Sequence, residues 1–111
     1  TQVYLLGWES GTADFQLPAE NIFHSSSWAP KQWNTMFYKN EKTDDLIERA
    51  GAEVDSEQRM KLAEELQKTI MEDAPWGPLY VYPQITAVRK SVHGLKVMPT
   101  ELLFFDQVWK E

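Results

Sequence analysis

The chain has no cysteine among its 111 residues, which excludes disulfides and zinc–thiolate sites. Histidine occurs only as His24 and His93, far apart and outside any ligand spacing, so dedicated metal ligation is not expected and each reads as a surface or loop residue. No apolar run approaches the ~20 residues of a bilayer span, and no charged segment followed by an apolar signal core opens the chain. The sequence as given therefore reads as soluble. Basic residues are outnumbered, 11 against 17 acidic ones, for a net charge of −6. Long-range attraction to a phosphate backbone would have the wrong sign, so no nucleic-acid partner is expected. The lysines are scattered and form no basic tail or membrane-surface patch.

What is present is globular material. Hydrophobic residues make up 42% and aromatic residues 13%, enough for one modest domain with a generous supply of packing or ligand-contact surface. The stretch VYLLGWESGTAD, Val3 to Asp14, carries the strongest local signal. An apolar run long enough for a buried strand opens onto Gly7 and Gly11, which permit a sharp turn. Trp8 would supply a flat apolar wall, and Glu9 and Asp14 could receive a cation or an ammonium group once water is excluded. The alternative is a core tryptophan followed by a solvated acidic loop.

From Glu9 to about Thr35 neither helical nor strand periodicity holds, and Gly11, Pro18, Pro30 and the serines Ser25 to Ser27 predict a long loop with room for a short helix near Ala19 to Phe23. A helix is predicted from Thr43, whose hydroxyl can cap, with Asp44 and Asp45 in its positive first turn and Leu46, Ile47 and Ala50 as its buried stripe. Gly51 weakens its end by about 1 kcal/mol relative to alanine. Asp55 with Gln58 forms a capping-box start for a second helix, along which Met60, Ala63, Leu66, Gln67 and Ile70, broadened by Leu62, make one face until Pro75. Glu57 with Lys61 and Glu64 with Lys68 are spaced for ion pairs on the solvent side. Beyond it, Leu79 to Tyr82 and Ile85 to Val88 read as aromatic and β-branched strands bent at Pro83, with weaker candidates at Leu95 to Val97 and Leu102 to Phe105.

A hydrolase would recruit His24, one of Ser25, Ser26 or Ser27, and Asp14 as base, nucleophile and orienting acid. No strained nucleophile turn is present, and three adjacent serines are turn residues more simply. No catalytic residue is assigned. Glu72 and Asp73 lie at a helix C-terminus, where the macrodipole disfavours them. They read either as a tolerated surface cluster or as a charged contact with a partner.

The order of these elements, NTMFYKNEKTDDLIERA followed by VDSEQRMKLAEELQKTIMEDAPWGPLYVY and SVHGLKVMP, resembles the C-terminal part of the extracytoplasmic, family 5 solute-binding proteins of peptide, nickel and glutathione ABC importers. The resemblance rests on Tyr38, Asn40, Asp45 and Leu46, then Asp55, Arg59, Gln67, Asp73, Ala74 and Pro75, and finally Val92 and Gly94. It covers nearly the whole chain and, through the GW loop, APW and VMP, is similar to the glutathione- and dipeptide-binding branch.

The resemblance implies an α/β fold. It would be the C-terminal part of a two-lobed periplasmic-binding-protein (type II-like) fold, an incomplete lobe with two helices packed on a few strands. Residues 1–90 would belong to the second lobe and 91–111 would return toward the first. A start at Thr1 within an apolar run agrees with a piece of a longer parent chain. The implied role is capture of a small peptide-like or glutathione-like solute for the transmembrane subunits of an ABC permease. The implied location is periplasmic or extracytoplasmic, with lipid anchoring of the parent open, and no cofactor or enzymatic activity is implied.

By the same resemblance, Trp8 is the pocket wall, Ser10 and Thr12 are polar contacts, Asp14 is the ammonium partner and Glu9 its competitor. The family loop commonly places an aspartate where this chain has Gly11, which keeps open a same-fold protein for a nickel chelate, an oligosaccharide or an opine. Strand edges uncovered by the rest of the parent could also pair between copies, so self-association is an open expectation.

Overall fold

The computed structural model describes residues 5–111 and divides into two compact units, Asp14–Leu79 and Thr1–Ala13 with Tyr80–Glu111. The buried apolar core found among the described residues lies wholly in the first.

In Asp14–Leu79, helix α1 spans Gln16–Phe23, a 3₁₀ turn spans Ser25–Ser27, α2 spans Glu41–Ala52 and α3 spans Ser56–Asp73. The short helix for which the expected long loop left room near Ala19 to Phe23 is present and begins earlier, at Gln16. Pro18 is compatible with α1 because it falls in the first turn, where its missing N–H has no intrahelical partner to lose. Ala19 of α1, Leu46 and Ile47 of α2 and Leu66 of α3 form the core, with Phe15, Phe23, Leu62 and Ile70 packed against it. Complete burial of Leu46, Ile47 and Leu66 contributes about 1.5–3 kcal/mol each. Within this unit α2 packs on α1 and α3, so the expected helix pair is found while its packing partner here is a third helix rather than a sheet.

The caps differ in one place from expectation. Asn40, not Thr43, starts α2: its Oδ1 accepts the main-chain N–H groups of Lys42 and Thr43 at 2.8 and 3.3 Å. Thr43 is fully buried inside the helix, and its hydroxyl instead meets the Tyr38 hydroxyl at 2.8 Å. Asp55 caps α3 through the Gln58 amide at 2.8 Å, as its spacing predicts. The helix stops at Ala74, which takes the left-handed conformation with φ 48° just before Pro75. Lys61 pairs with Glu57 as expected, and Lys68 has Glu72 at 4.0 Å.

Asp73 is not a loose surface charge. Its Oδ2 accepts the Tyr38 hydroxyl at 2.5 Å and the Asn40 amide at 2.6 Å, and these two bonds hold its carboxyl below the usual aspartate range. Tyr38 is pushed the other way, first by burial and then by that carboxylate. The end of α3 is thereby tied to the start of α2, which offsets the unfavourable placement of an acid at a helix C-terminus.

Between α1 and α2 the chain turns around Asn34, whose side chain is entirely buried. Its Nδ2 donates to the carbonyls of His24 and Tyr38 at 3.1 and 2.8 Å, and its Oδ1 accepts the Tyr38 amide at 2.9 Å. Its own amide donates to the Ser27 carbonyl at 2.9 Å.

In the other unit, β1 (Val92–His93) pairs antiparallel with β4 (Trp109–Lys110), and β2 (Lys96–Val97) pairs antiparallel with β3 (Leu103–Phe104). The His93 and Trp109 rings stack at 4.3 Å. Gly94 has φ 79°, and a Cβ there would lie 2.0 Å from the Gln107 carbonyl oxygen, so only glycine fits. The expected strands at Leu79–Tyr82 and Ile85–Val88 are irregular, with Val81 97% and Ile85 87% exposed. Residue type favours β structure there, but a strand exists only when a second strand takes its N–H and C=O groups. Of the expected opening strand, Val3 and Tyr4 lie outside the described residues, and Leu5 and Leu6 are irregular.

Two substitutions test this account. Asn34→Ala removes three side-chain hydrogen bonds inside the protein and should lower stability by about 2–4 kcal/mol in urea unfolding. Gly51→Ala gains up to about 1 kcal/mol of helix propensity, but its Cβ would lie 2.8 Å from Gln16 Nε2, which donates to the Ile47 carbonyl. It should be near neutral alone and stabilising in a Gln16→Ala background.

Candidate functional site

The residues singled out for ligand contact are divided between the two units: Trp8, Glu9, Ser10 and Thr12 belong to one and Asp14 to the other. The loop around Trp8 is irregular, with Trp8 and Ser10 half-buried and Glu9, Gly11 and Thr12 exposed. The Ser10 and Thr12 hydroxyls lie 3.3 Å apart, and the Thr12 amide donates to Ser10 Oγ at 3.3 Å. This local bonding folds the loop on itself without a strand.

Glu9 meets a residue that local sequence reading did not connect with it. A hydrogen bond with the Glu101 carboxyl, followed by the repulsion of that group, pushes the Glu9 carboxyl above its ordinary value. A bond between two carboxyl groups needs a proton on one of them. Glu101 also bonds the Tyr82 hydroxyl and pushes it up. Neither Glu101 nor Tyr82 carries a local sequence signal for this contact, since both reach Glu9 only through the fold; Glu101 has φ 62°, the left-handed region.

Asp14 is placed by α1 and α3. Its Oδ1 accepts the Gln16 amide at 2.7 Å, closing the entrance to α1, and accepts Arg59 from α3 at 2.8 Å. Arg59 is itself fixed: its Nε donates to the Ala50 carbonyl at 3.1 Å and its guanidinium lies 4.8 Å from the centre of the Phe15 ring. A ligand ammonium at Asp14 would therefore share the carboxylate with this guanidinium.

The groups considered for hydrolysis fall into different partnerships. Ser25 donates from its amide and its hydroxyl to Asp44 at 2.9 and 2.6 Å. Ser26 meets His24 Nδ1 through its hydroxyl at 2.8 Å and its amide at 3.1 Å, while His24 Nε2 lies 3.3 Å from Glu48. Asp14 bonds Gln16 and Arg59 instead. A main-chain N–H occupies the nitrogen lone pair that a catalytic base would need, so His24 acts as a helix cap. Among the described residues there is no group of three or more ligating side chains suited to a metal ion, and no helix long and apolar enough to cross a membrane.

A concavity lies within Asp14–Leu79. It has a volume of about 540 Å³ and runs between α1 and α3 past Phe15, Phe23, Met60, Leu66, Ile70 and Trp76. Phe23 and Trp76 pack edge to face at 5.6 Å, and the indole N–H of Trp76 points to the sulfur of Met36 at 2.8 Å. The face read from sequence as the buried side of α3 is thus partly a cavity wall, with Met60 58% exposed.

The Arg59 hydrogen bond, then the Gln16 amide, lowers the Asp14 pKa from the ordinary 3.8. A carboxylate with a depressed folded-state pKa stabilises the fold above the unfolded value and loses that contribution as pH falls through the folded one. Asp14→Asn should therefore lower the urea midpoint at neutral pH, and the difference from the unaltered chain should shrink as pH is taken below 3.8.

Among proteins of known role, the chain is 30% identical over 105 residues to the glutathione-binding protein GsiB of Salmonella typhimurium, a match spanning 95% of this chain and 20% of that protein. The same identity and coverage hold for the glutathione-binding proteins GsiB of Escherichia coli and Shigella boydii. The chain spans about a fifth of the length of the curated relatives it matches. No family model matches it.

Proposed function

We propose that this chain is part of the solute-binding component of an ABC importer. It captures short peptides or glutathione-like solutes outside the cytoplasmic membrane, in the periplasm, and delivers them to the permease. The observation that carries this reading is the similarity to glutathione-binding proteins along 95% of the chain. The chemistry of the Trp8 loop is consistent with it. A glutathione-like solute offers an ammonium group, carboxylates and peptide groups, and the loop at Trp8 offers an indole wall, the hydroxyls of Ser10 and Thr12, and the Glu9 carboxyl. Asp14 is the further ammonium partner on this reading, its carboxylate shared with Arg59. Such a site binds and releases without bond making, so no catalytic group is required. Trapping would follow from the ligand favouring a closed state of the whole protein.

A second reading, a solute of another class such as a nickel chelate, an oligosaccharide or an opine, is kept open by the resemblance to the solute-binding family, whose loop commonly holds an aspartate where this chain has Gly11.

Thermal unfolding of the full-length protein that carries this chain separates the two. Glutathione or a di- or tripeptide at about a hundred times its dissociation constant should stabilise by about 2.7 kcal/mol. Trp8→Ala should abolish most of that shift and His24→Ala should not. A shift with sugars or nickel chelates only would move the assignment to the second reading, and no shift with any of them would remove solute capture.

A further inference from the structure

His24 closes α1 and opens the 3₁₀ turn Ser25–Ser27, and its ring lies among one obligate donor, one hydroxyl and two carboxylates. Nδ1 is 3.1 Å from the Ser26 amide nitrogen and 2.8 Å from Ser26 Oγ, and Nε2 is 3.3 Å from Glu48 Oε1. Asp44 Oδ1 lies 4.0 Å from Nδ1. A main-chain N–H can only donate, so Nδ1 must present its lone pair and the ring proton must sit on Nε2, where it donates to Glu48.

A second proton can go only to Nδ1. There it opposes the Ser26 N–H, donor against donor. The Ser26 hydroxyl can rotate and accept, but the amide cannot. The charged groups facing the ring are Asp44 and Glu48 from α2, and Lys31, whose Nζ donates to the Ser26 carbonyl at 3.3 Å; Glu20 lies one turn back on α1, where its carbonyl accepts the His24 amide. Glu48 and Asp44 place carboxylate oxygens 3.3 and 4.0 Å from the ring nitrogens, and Nδ1 is the position where a second proton would displace the cap.

We propose that His24 is a proton-operated latch on the 3₁₀ turn. The neutral ring caps the Ser26 amide; the imidazolium releases it and turns Nδ1–H toward Asp44, competing with Ser25 for that carboxylate. The turn supplies the His24 and Ser27 carbonyls that receive the side chain and amide of Asn34. Release therefore loosens the anchorage of the segment 28–38 on acidification. This device is independent of the identity of the solute.

The test is a nitrogen-15 NMR titration of the chain from about pH 8 to about pH 4, the range in which histidines change charge. It follows the His24 ring nitrogens together with the Ser26 amide shift and its temperature coefficient. His24→Asn keeps a side-chain acceptor at the capping position and removes the titration. The expected result is an Nε2–H tautomer at the upper end, loss of the Ser26 hydrogen bond in step with the second ring protonation, and a Ser26 amide unchanged across the range in His24→Asn. A Ser26 hydrogen bond that survives full protonation of the His24 ring would overturn the latch, as would the same loss in His24→Asn. The unaltered chain decides the question by itself if the variant does not fold.

Discussion

The amide of Asn34 is the constraint on which the helical unit depends. A buried amide must find partners for two donors and an acceptor, and each left unmet costs about 1–3 kcal/mol. Asn34 meets them with the main chain of His24 on one side and Tyr38 on the other. The end of α1 and the approach to α2 are thus brought together by one side chain. Without it, the intervening segment, which contributes no residue to the apolar core cluster, would have little reason to adopt a single path.

From Asn34 the order propagates through Tyr38. Its main chain is held by Asn34, and its hydroxyl joins Thr43 in α2 to Asp73 at the end of α3. The polar chain from Asn34 to Asp73 thus links the approach to α2, α2 itself and the end of α3, while Ala19, Leu46, Ile47 and Leu66 bind the helices face to face. Burial supplies the bulk of the free energy and the hydrogen bonds select one arrangement among many of similar hydrophobic content. His24 belongs to the same chain of contacts, which is why a change in its protonation has consequences beyond its own turn.

The candidate loop around Trp8 has a different character. Its order comes from short polar contacts between Ser10 and Thr12, with the Glu9 carboxyl set beside that of Glu101. Trp8 and the hydroxyls of Ser10 and Thr12 are the groups this loop holds for the proposed contact with a peptide-like solute.

Sequence alone determined what depends on neighbours a few residues apart. The stripe Leu46, Ile47 and Ala50, the Asp55 cap, the Pro75 stop and the Glu57–Lys61 pair all follow from helical spacing, and the structure shows each of them. The β pairs at Lys96–Val97 and Leu103–Phe104 fall inside the apolar runs read as weak strands. Tertiary structure decided what depends on a partner from afar. Thr43 yielded the capping role to Asn40 because Tyr38 claims its hydroxyl, Asp73 became a tether between two helices, Asp14 acquired Arg59, and Glu9 acquired Glu101. The strand-like residues of Leu79–Tyr82 and Ile85–Val88 remained irregular for the converse reason: a side chain can favour an extended backbone, but the hydrogen bonds that make it a strand belong to another segment.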